Sequence, residues 1–187
     1  HGAIMQLKRY LVQHLPLNPD RTFAFGFSNG GALSLALACL VPDEILAVAS
    51  VAGWYGVNWP CRHAVSASES ERHWSFTSRS YVAQPSSGHD VVWSIPVESR
   101  FLSILSIHTT NDPIAGYCHP EEGYLADLIA YHAFRNKNVT QTMNGITRFQ
   151  YSNHDAKPND PLHLARPTYF EHFRLQGGGH VWIDVKA

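Results

Sequence analysis

Serine, histidine and a carboxylate, in the right order, can make a hydroxyl attack a carbonyl, and the chain carries a candidate for each role. Gly26-Phe27-Ser28-Asn29-Gly30 matches G-x-S-x-G, the pattern of a sharp strand-to-helix turn that presents a serine as nucleophile. Three fixed positions of such common residues match by chance in a chain of this length roughly one time in twenty. The surroundings therefore matter more than the pattern. Phe23, Phe25 and Phe27 alternate before Ser28, and an almost continuously apolar stretch follows it. That is the junction the turn requires. Backbone N–H groups and the helix dipole then point at the serine oxygen, and the N–H of Asn29 is the candidate donor to the oxyanion of a tetrahedral intermediate. The other reading is a glycine-rich turn with no chemistry.

A serine hydroxyl is a poor nucleophile by itself and needs a base, which an acid must orient. Behind such a turn the expected chain order is serine, acid, histidine. Asp112 sits just past the apolar run 101–108, although Asn111-Asp112-Pro113 fits a plain turn equally well. His180 is better marked, because it follows Gly177-Gly178-Gly179 near the end of the chain. With 12 histidines present, one alone says little. His108 precedes Asp112 and breaks the order, while His132 and His172 fall on element faces and read as packed or surface groups. No H-E-x-x-H and no tight Cys/His cluster occurs, so no metal is expected.

The elements that must position these groups are legible from periodicity. Ile4, Leu7 and Leu11 recur at helical spacing, and Pro16 and Pro19 close that segment. Residues 21–27 read as a buried strand, 29–41 as a helix buried on most sides, and 45–51 as a second short strand. Residues 101–108 return to strand character. Pro120-Glu121-Glu122 makes a helix start, with Leu125, Leu128, Ile129 and His132 on one face and Arg135 and Lys137 at its end. Segments 147–151 and 169–175 alternate as strands, the second ended by the glycines. The alternation of strands and helices predicts an α/β fold with parallel strands covered by helices. From 61 to 100 the texture changes to ten serines and few aliphatics. This reads as an insertion between core strands, with short ordered pieces near Tyr81 or 91–93.

Composition sets the outer bounds. The chain has 187 residues, 44% of them hydrophobic, and 14 Lys and Arg against 15 Asp and Glu. One domain with a packed core is expected. Without a basic excess no nucleic-acid partner is expected, and no apolar run approaches the roughly 18–20 residues of a membrane span. Three cysteines are too few for a disulfide scaffold.

Taken together, Arg21 to Gly31, Ala38-Cys39, Pro42-Asp43, Ala47 to Gly53, His108-Thr109-Thr110-Asn111-Asp112-Pro113 and Gly177-Gly178-Gly179-His180-Val181-Trp182 resemble the polyhydroxybutyrate depolymerase and feruloyl esterase family of α/β-hydrolases. The segments run in order across most of the chain, and the final one is the most discriminating. The resemblance implies a three-layer α/β-hydrolase sheet, Ser28 as nucleophile, His180 as general base and acid, and Asp112 orienting His180. It implies cleavage of carboxylic esters, polyhydroxyalkanoate, feruloyl or acetyl, through an acyl-enzyme. No cofactor is implied, and the partner is an ester substrate, polymeric in some members. A non-catalytic hydrolase-like binding module and a serine peptidase of the same fold are the alternatives.

The departures carry expectations too. The family has His-Gly where this chain has His108-Thr109, and Pro and Gly soon after the final His-x-Trp, where this chain reads Ile183-Asp184. The insertion at about 61–100 is long for the family. The leading strands, with the second oxyanion donor, and the closing helix are not seen, and the first residue is His1. Residues 1–187 are thus read as a partial domain, truncated at the N-terminus and at the C-terminus. Loss of one oxyanion donor costs about 2.7–4 kcal/mol of transition-state stabilisation in comparable sites, so weak activity is expected of these residues alone. A Cys39–Cys61 bridge would match the family's secreted members, with Cys118 left over; two buried free thiols are the alternative. Asn138-Val139-Thr140 is a glycosylation sequon, and with the resemblance it suggests an extracellular protein. Trp54, Tyr55 and Trp59 fit either an aromatic substrate surface or packing under the insertion.

Overall fold

The strand that leads into Ser28 lies at one end of a six-stranded mixed sheet in the computed structural model, which describes residues 2–55, 61, 72–75, 80–83, 93–94, 102–132, 134, 136–141, 145–152 and 168–182. The elements in chain order are α1 (Gly2–His14), β1 (Phe23–Phe27), α2 (Asn29–Leu40), β2 (Ala47–Val51), β3 (Arg72–Ser75), β4 (Ser80–Ala83), β5 (Trp93–Ser94), β6 (Ser103–Thr109), α3 (Gly123–Tyr131), β7 (Asn136–Gln141), β8 (Ile146–Ser152) and β9 (Tyr169–Leu175). The main sheet has the order β1-β2-β6-β9-β8-β7, and β3, β4 and β5 form a separate three-stranded sheet.

Strands β1, β2, β6 and β9 are mutually parallel. β8 and β7 then add in antiparallel fashion, so the sheet is mixed where the sequence predicts parallel strands. The cause is local: β8 starts so soon after β7 ends that only a hairpin can join them. β7 itself is a polar edge strand, with Lys137 to Gln141 all exposed. It has no apolar alternation to announce it, and Lys137 falls in it rather than at a helix end. The helix before it begins at Gly123, with Glu122 as its N-cap.

Most of the core lies on one face of the sheet. Val48 pairs with Ile104, Ile104 with Phe170, and Phe170 with Tyr151, and all four are buried. Leu35, Leu37 and Ala38 of α2, Leu125 and Leu128 of α3, and Met5 of α1 join the same cluster. Each fully buried side chain of this size contributes roughly 1.5–3 kcal/mol. α2 matches its sequence reading, being buried from Ser34 to Cys39. α3 is tied down by two tyrosine hydroxyls: Tyr124 Oη donates to Gly53 O at 2.9 Å and Tyr131 Oη to Cys39 O at 3.0 Å. A buried phenol needs such an acceptor. In α1, Met5 is buried, while Ile4 and Leu7 are exposed and Lys8 donates to Glu44 O at 2.6 Å.

β1 is not the buried strand its phenylalanines suggest. Phe23 and Phe25 are 61% and 75% exposed, because β1 is the last strand of the sheet among the described residues and these rings point away from the face that α2 covers. Cys39 is bonded to Cys61, and Cys118 is a free thiol. Within the insertion, Tyr81 lies in β4 and Trp93 in β5; Val91 lies outside the described residues, as does Trp59. Tyr55 packs against the core and Trp54 is exposed. Among the described residues no helix is long and apolar enough to cross a membrane.

Candidate active site

Because β1, β6 and β9 run the same way, the loops that leave them open at one edge of the sheet, where open α/β sheets collect reactive groups. Ser28 follows β1, Asp112 follows β6, and His180 follows β9. The turn at Ser28 is forced. Its backbone has φ 54° and ψ −121°, a conformation costing an L-residue about 1–3 kcal/mol. Ser28 N–H donates to Val51 O and Ala32 N–H to Ser28 O, both at 2.9 Å, so the turn is locked to β2 on one side and to α2 on the other.

The glycines around it do unequal work. A Cβ on residue 26 would overlap the backbone of Gly30, and one on residue 31 would lie 2.8 Å from Ser50 Oγ and 3.0 Å from Gly26 O. Gly53 is hemmed in by Ser50 and Gly31. Gly30, by contrast, faces open space, and a Cβ placed there would meet nothing within 4 Å. The close approach of strand and helix thus rests on Gly26, Gly31 and Gly53; Gly30 lies on the exposed first turn of α2. Asn29 is the first residue of that helix, so its backbone N–H lies among those with no intrahelical partner.

The three side chains meet. His180 Nε2 is 2.8 Å from Ser28 Oγ, and His180 Nδ1 is 2.8 Å from Asp112 Oδ2. Asp112 Oδ1 accepts the N–H groups of Ile114 at 2.9 Å and Ala115 at 2.8 Å, which fixes the carboxylate and leaves Oδ2 for the histidine. Burial pushes the Asp112 carboxyl upward, but the bonds from His180, Ala115 and Ile114 outweigh it and hold the pKa at about 2. An ionised Asp112 accepts Nδ1–H, so the Nε2 lone pair faces the serine hydroxyl. All four residues singled out from the sequence, Ser28, Asn29, Asp112 and His180, therefore lie at this one edge.

The surroundings add groups that the pattern does not mark. Phe27 packs its ring 4.9 Å from that of His180 and edge-on to Trp182 at 5.9 Å. His108 is buried beneath Asp112, with Nε2 2.5 Å from Ala115 O and 3.3 Å from Asp112 Oδ2. Burial lowers its pKa, so it serves as a neutral Nε2–H donor. His172, also fully buried, places Nδ1 3.1 Å from Ser106 Oγ; burial first, then the neighbouring His108, His119 and Arg174, lower its pKa to about 3. Of the two sequence readings of His172, packed or surface, the structure gives the packed one. Thr109 Oγ1 donates to Gly179 O at 3.0 Å, and Gly177 N–H donates to Thr110 Oγ1 at 2.9 Å. Thr109 is marked in the sequence only as standing where the resembled family has the glycine of its His-Gly, and Thr110 is not marked at all. A cavity of about 470 Å³ opens beside Thr109, Gly177, Gly178, Val181 and Trp182. Among the described residues no group of three or more His, Cys, Asp or Glu is placed to hold a metal ion.

Comparison with solved structures finds likenesses of fold at low sequence identity. An acetyl xylan esterase from Aspergillus awamori matches with a TM-score of 0.51 over 96% of this chain, at 14% identity. The fold is that of an α/β-hydrolase. The chain spans 61% of that esterase's length. Esterase PE8 matches at 16% identity and TM-score 0.44, over 95% of this chain and 52% of its own. A PHB depolymerase complexed with an R3HB trimer matches at 16% identity and TM-score 0.41, over 91% and 44%. No protein-family model matches the sequence, and neither does any curated protein.

Proposed function

We propose that this α/β-hydrolase chain is a serine carboxylesterase that works through Ser28, His180 and Asp112. One observation carries the reading: the continuous chain of hydrogen bonds from Asp112 Oδ2 through His180 to Ser28 Oγ, with 2.8 Å at each step. In that order His180 Nε2 takes the Ser28 proton as Oγ attacks the ester carbonyl. Asp112 stabilises the imidazolium, and the Asn29 N–H donates to the oxyanion. The imidazolium then protonates the leaving alcohol. Water, deprotonated by the same nitrogen, hydrolyses the acyl-serine.

Carboxylic esters are proposed over amides on two grounds. The Gly177-Gly178-Gly179-His180-Val181-Trp182 ending resembles that of esterases rather than peptidases, and the fold match is to an acetyl xylan esterase. Polyhydroxyalkanoate, feruloyl and acetyl esters all remain within the proposed class. The Cys39–Cys61 bridge supports a site of action in an oxidising, extracellular compartment. The exposed sequon at Asn138 on β7 agrees with it.

Release of p-nitrophenol from short acyl esters, measured beside cleavage of a peptide anilide, tests the reading. Ester turnover that disappears in Ser28→Ala is expected, with the anilide cut far more slowly. Ester turnover no higher than that of Ser28→Ala would overturn it, and preferential anilide cleavage would move the protein to the peptidases.

A further inference from the structure

The general base stands on a loop that has little means of holding itself. Residues 177–179 are three glycines, two of which, Gly177 and Gly178, have φ of +78° and +75°. Only glycine adopts such angles freely, and it brings no side chain to pack. The cavity beside Gly177 and Gly178 leaves that flank of the loop open. Yet His180 must keep two 2.8 Å bonds at once.

Facing the loop is the end of β6. Thr109 and Thr110 grip it at two places and hold the strand end before it: Gly177 N–H donates to Thr110 Oγ1 and Thr109 Oγ1–H donates to Gly179 O, while Thr110 N–H donates to Leu175 O of β9 at 2.9 Å. Of the two loop bonds, that of Thr109 is the one nearer the base. Its acceptor, Gly179 O, belongs to the residue directly before His180. Thr109 is also the group against which the loop lies, since a Cβ on residue 178 would meet Thr109 Cγ2 at 2.9 Å. The two threonines sit between His108 and Asp112, so the segment that carries the acid also holds the base.

We infer that the Thr109 and Thr110 hydroxyls are a latch that sets the position of His180 against Ser28 and Asp112. They are positioning residues: neither touches the serine. Thr109 carries most of the effect, being buried and bonded next to the histidine. A valine in its place keeps the shape and loses the bond. A serine keeps the bond.

The inference rests on the esterase reading for its kinetic consequence but not for its structural one, and the test uses both. Nuclear magnetic resonance of the full chain follows the downfield His180 Nδ1 proton, assigned by its loss in Asp112→Asn. Hydrolysis of p-nitrophenyl acetate gives kcat and KM. Wild type and Thr109→Ser are expected to show the protected proton, whereas Thr109→Val loses it to exchange with an otherwise unchanged spectrum. A loop displaced by a fraction of an ångström to about 1 Å corresponds to a fall in kcat of about 10- to 100-fold with KM near its wild-type value. Thr109→Ser should stay within about threefold, and Thr110→Val should fall less than Thr109→Val. An unaltered proton and kcat in Thr109→Val would overturn the latch while leaving the esterase reading standing. Equal losses in the Val and Ser variants would also overturn it, since packing alone would then be at work. A proton that separates Val from Ser in a protein without ester turnover would support the latch and remove the esterase reading.

Discussion

Replacing Gly26 by alanine and, separately, Gly30 by alanine asks whether the turn at Ser28 is held by steric fit or by pattern alone. A Cβ on residue 26 would lie 2.8 Å from Gly30 Cα and nearer still to that residue's carbonyl carbon and oxygen. Non-bonded carbons are comfortable at about 3.5–4.0 Å, so β1 and the first turn of α2 must part by about 1 Å. Backbone is on both sides of this contact, and no side-chain rotation relieves it. Ser28 lies between the two glycines, so the displacement falls on Oγ and on its 2.8 Å bond to His180. Misplacement of that size costs about 100-fold in rate, and overpacking of this kind costs about 1–3 kcal/mol of stability. At position 30 a Cβ would have nothing within 4 Å, and alanine in a helix is favoured over glycine by up to about 1 kcal/mol. Gly30→Ala should therefore match or slightly exceed wild-type stability and keep activity within a few-fold. The assay is ester hydrolysis beside thermal or urea denaturation of both variants. Gly26→Ala with activity near wild type would refute the steric argument, as would Gly30→Ala being the more damaging change.

Other consequences follow from the same geometry. In Asp112→Asn, Oδ1 still accepts from Ile114 and Ala115, but an amide nitrogen replaces Oδ2 opposite His180 Nδ1. The imidazole then turns its lone pair to position 112 and its proton to the serine, and kcat should fall about 10⁴-fold, as the equivalent change does in a serine protease triad. Unchanged kcat would contradict the proposed tautomer. The same carboxyl has its pKa held from an ordinary 3.8 down to about 2. Its contribution to stability is therefore present above pH 3.8 and is lost as pH falls through about 2. Acid titration followed by circular dichroism should show a shallower loss over that interval in Asp112→Asn than in wild type. The Cys39–Cys61 bridge closes a loop with a sequence separation of 22, for which chain entropy gives about 3 kcal/mol. Urea denaturation with and without reductant should differ by an amount of that order, and Cys118 should alkylate without reduction.

How far the site is legible from the residues follows from the range of the interactions. Ser28 is readable because its requirements are local: two flanking elements and small neighbours within a few positions. Asp112 and His180 are readable through chain order and through the glycines that mark a strand end. Their meeting, however, depends on β1, β6 and β9 being parallel, which no local pattern states. Thr109 and Thr110 carry no local signal because their partners are 70 and 67 residues away. Chain order argues against His108 as the acting base but says nothing of a residue that lies beneath the acid. Of the two glycines in G-x-S-x-G only Gly26 is sterically required, and Gly31 and Gly53, which the pattern does not include, are required as well. The exposed rings of Phe23 and Phe25 show the limit of periodicity: alternation marks a strand but does not say whether another layer covers it. β7 has no alternation at all, being polar on both sides.

The central claim is that Ser28 is an activated nucleophile. Treatment of the protein with a fluorophosphonate, followed by proteolysis and mass spectrometry, tests it most directly. One phosphonyl adduct is predicted, on the peptide that contains Ser28, absent in Ser28→Ala and formed much more slowly in His180→Ala. No adduct on the wild-type chain, or an adduct that persists in Ser28→Ala, would contradict the account.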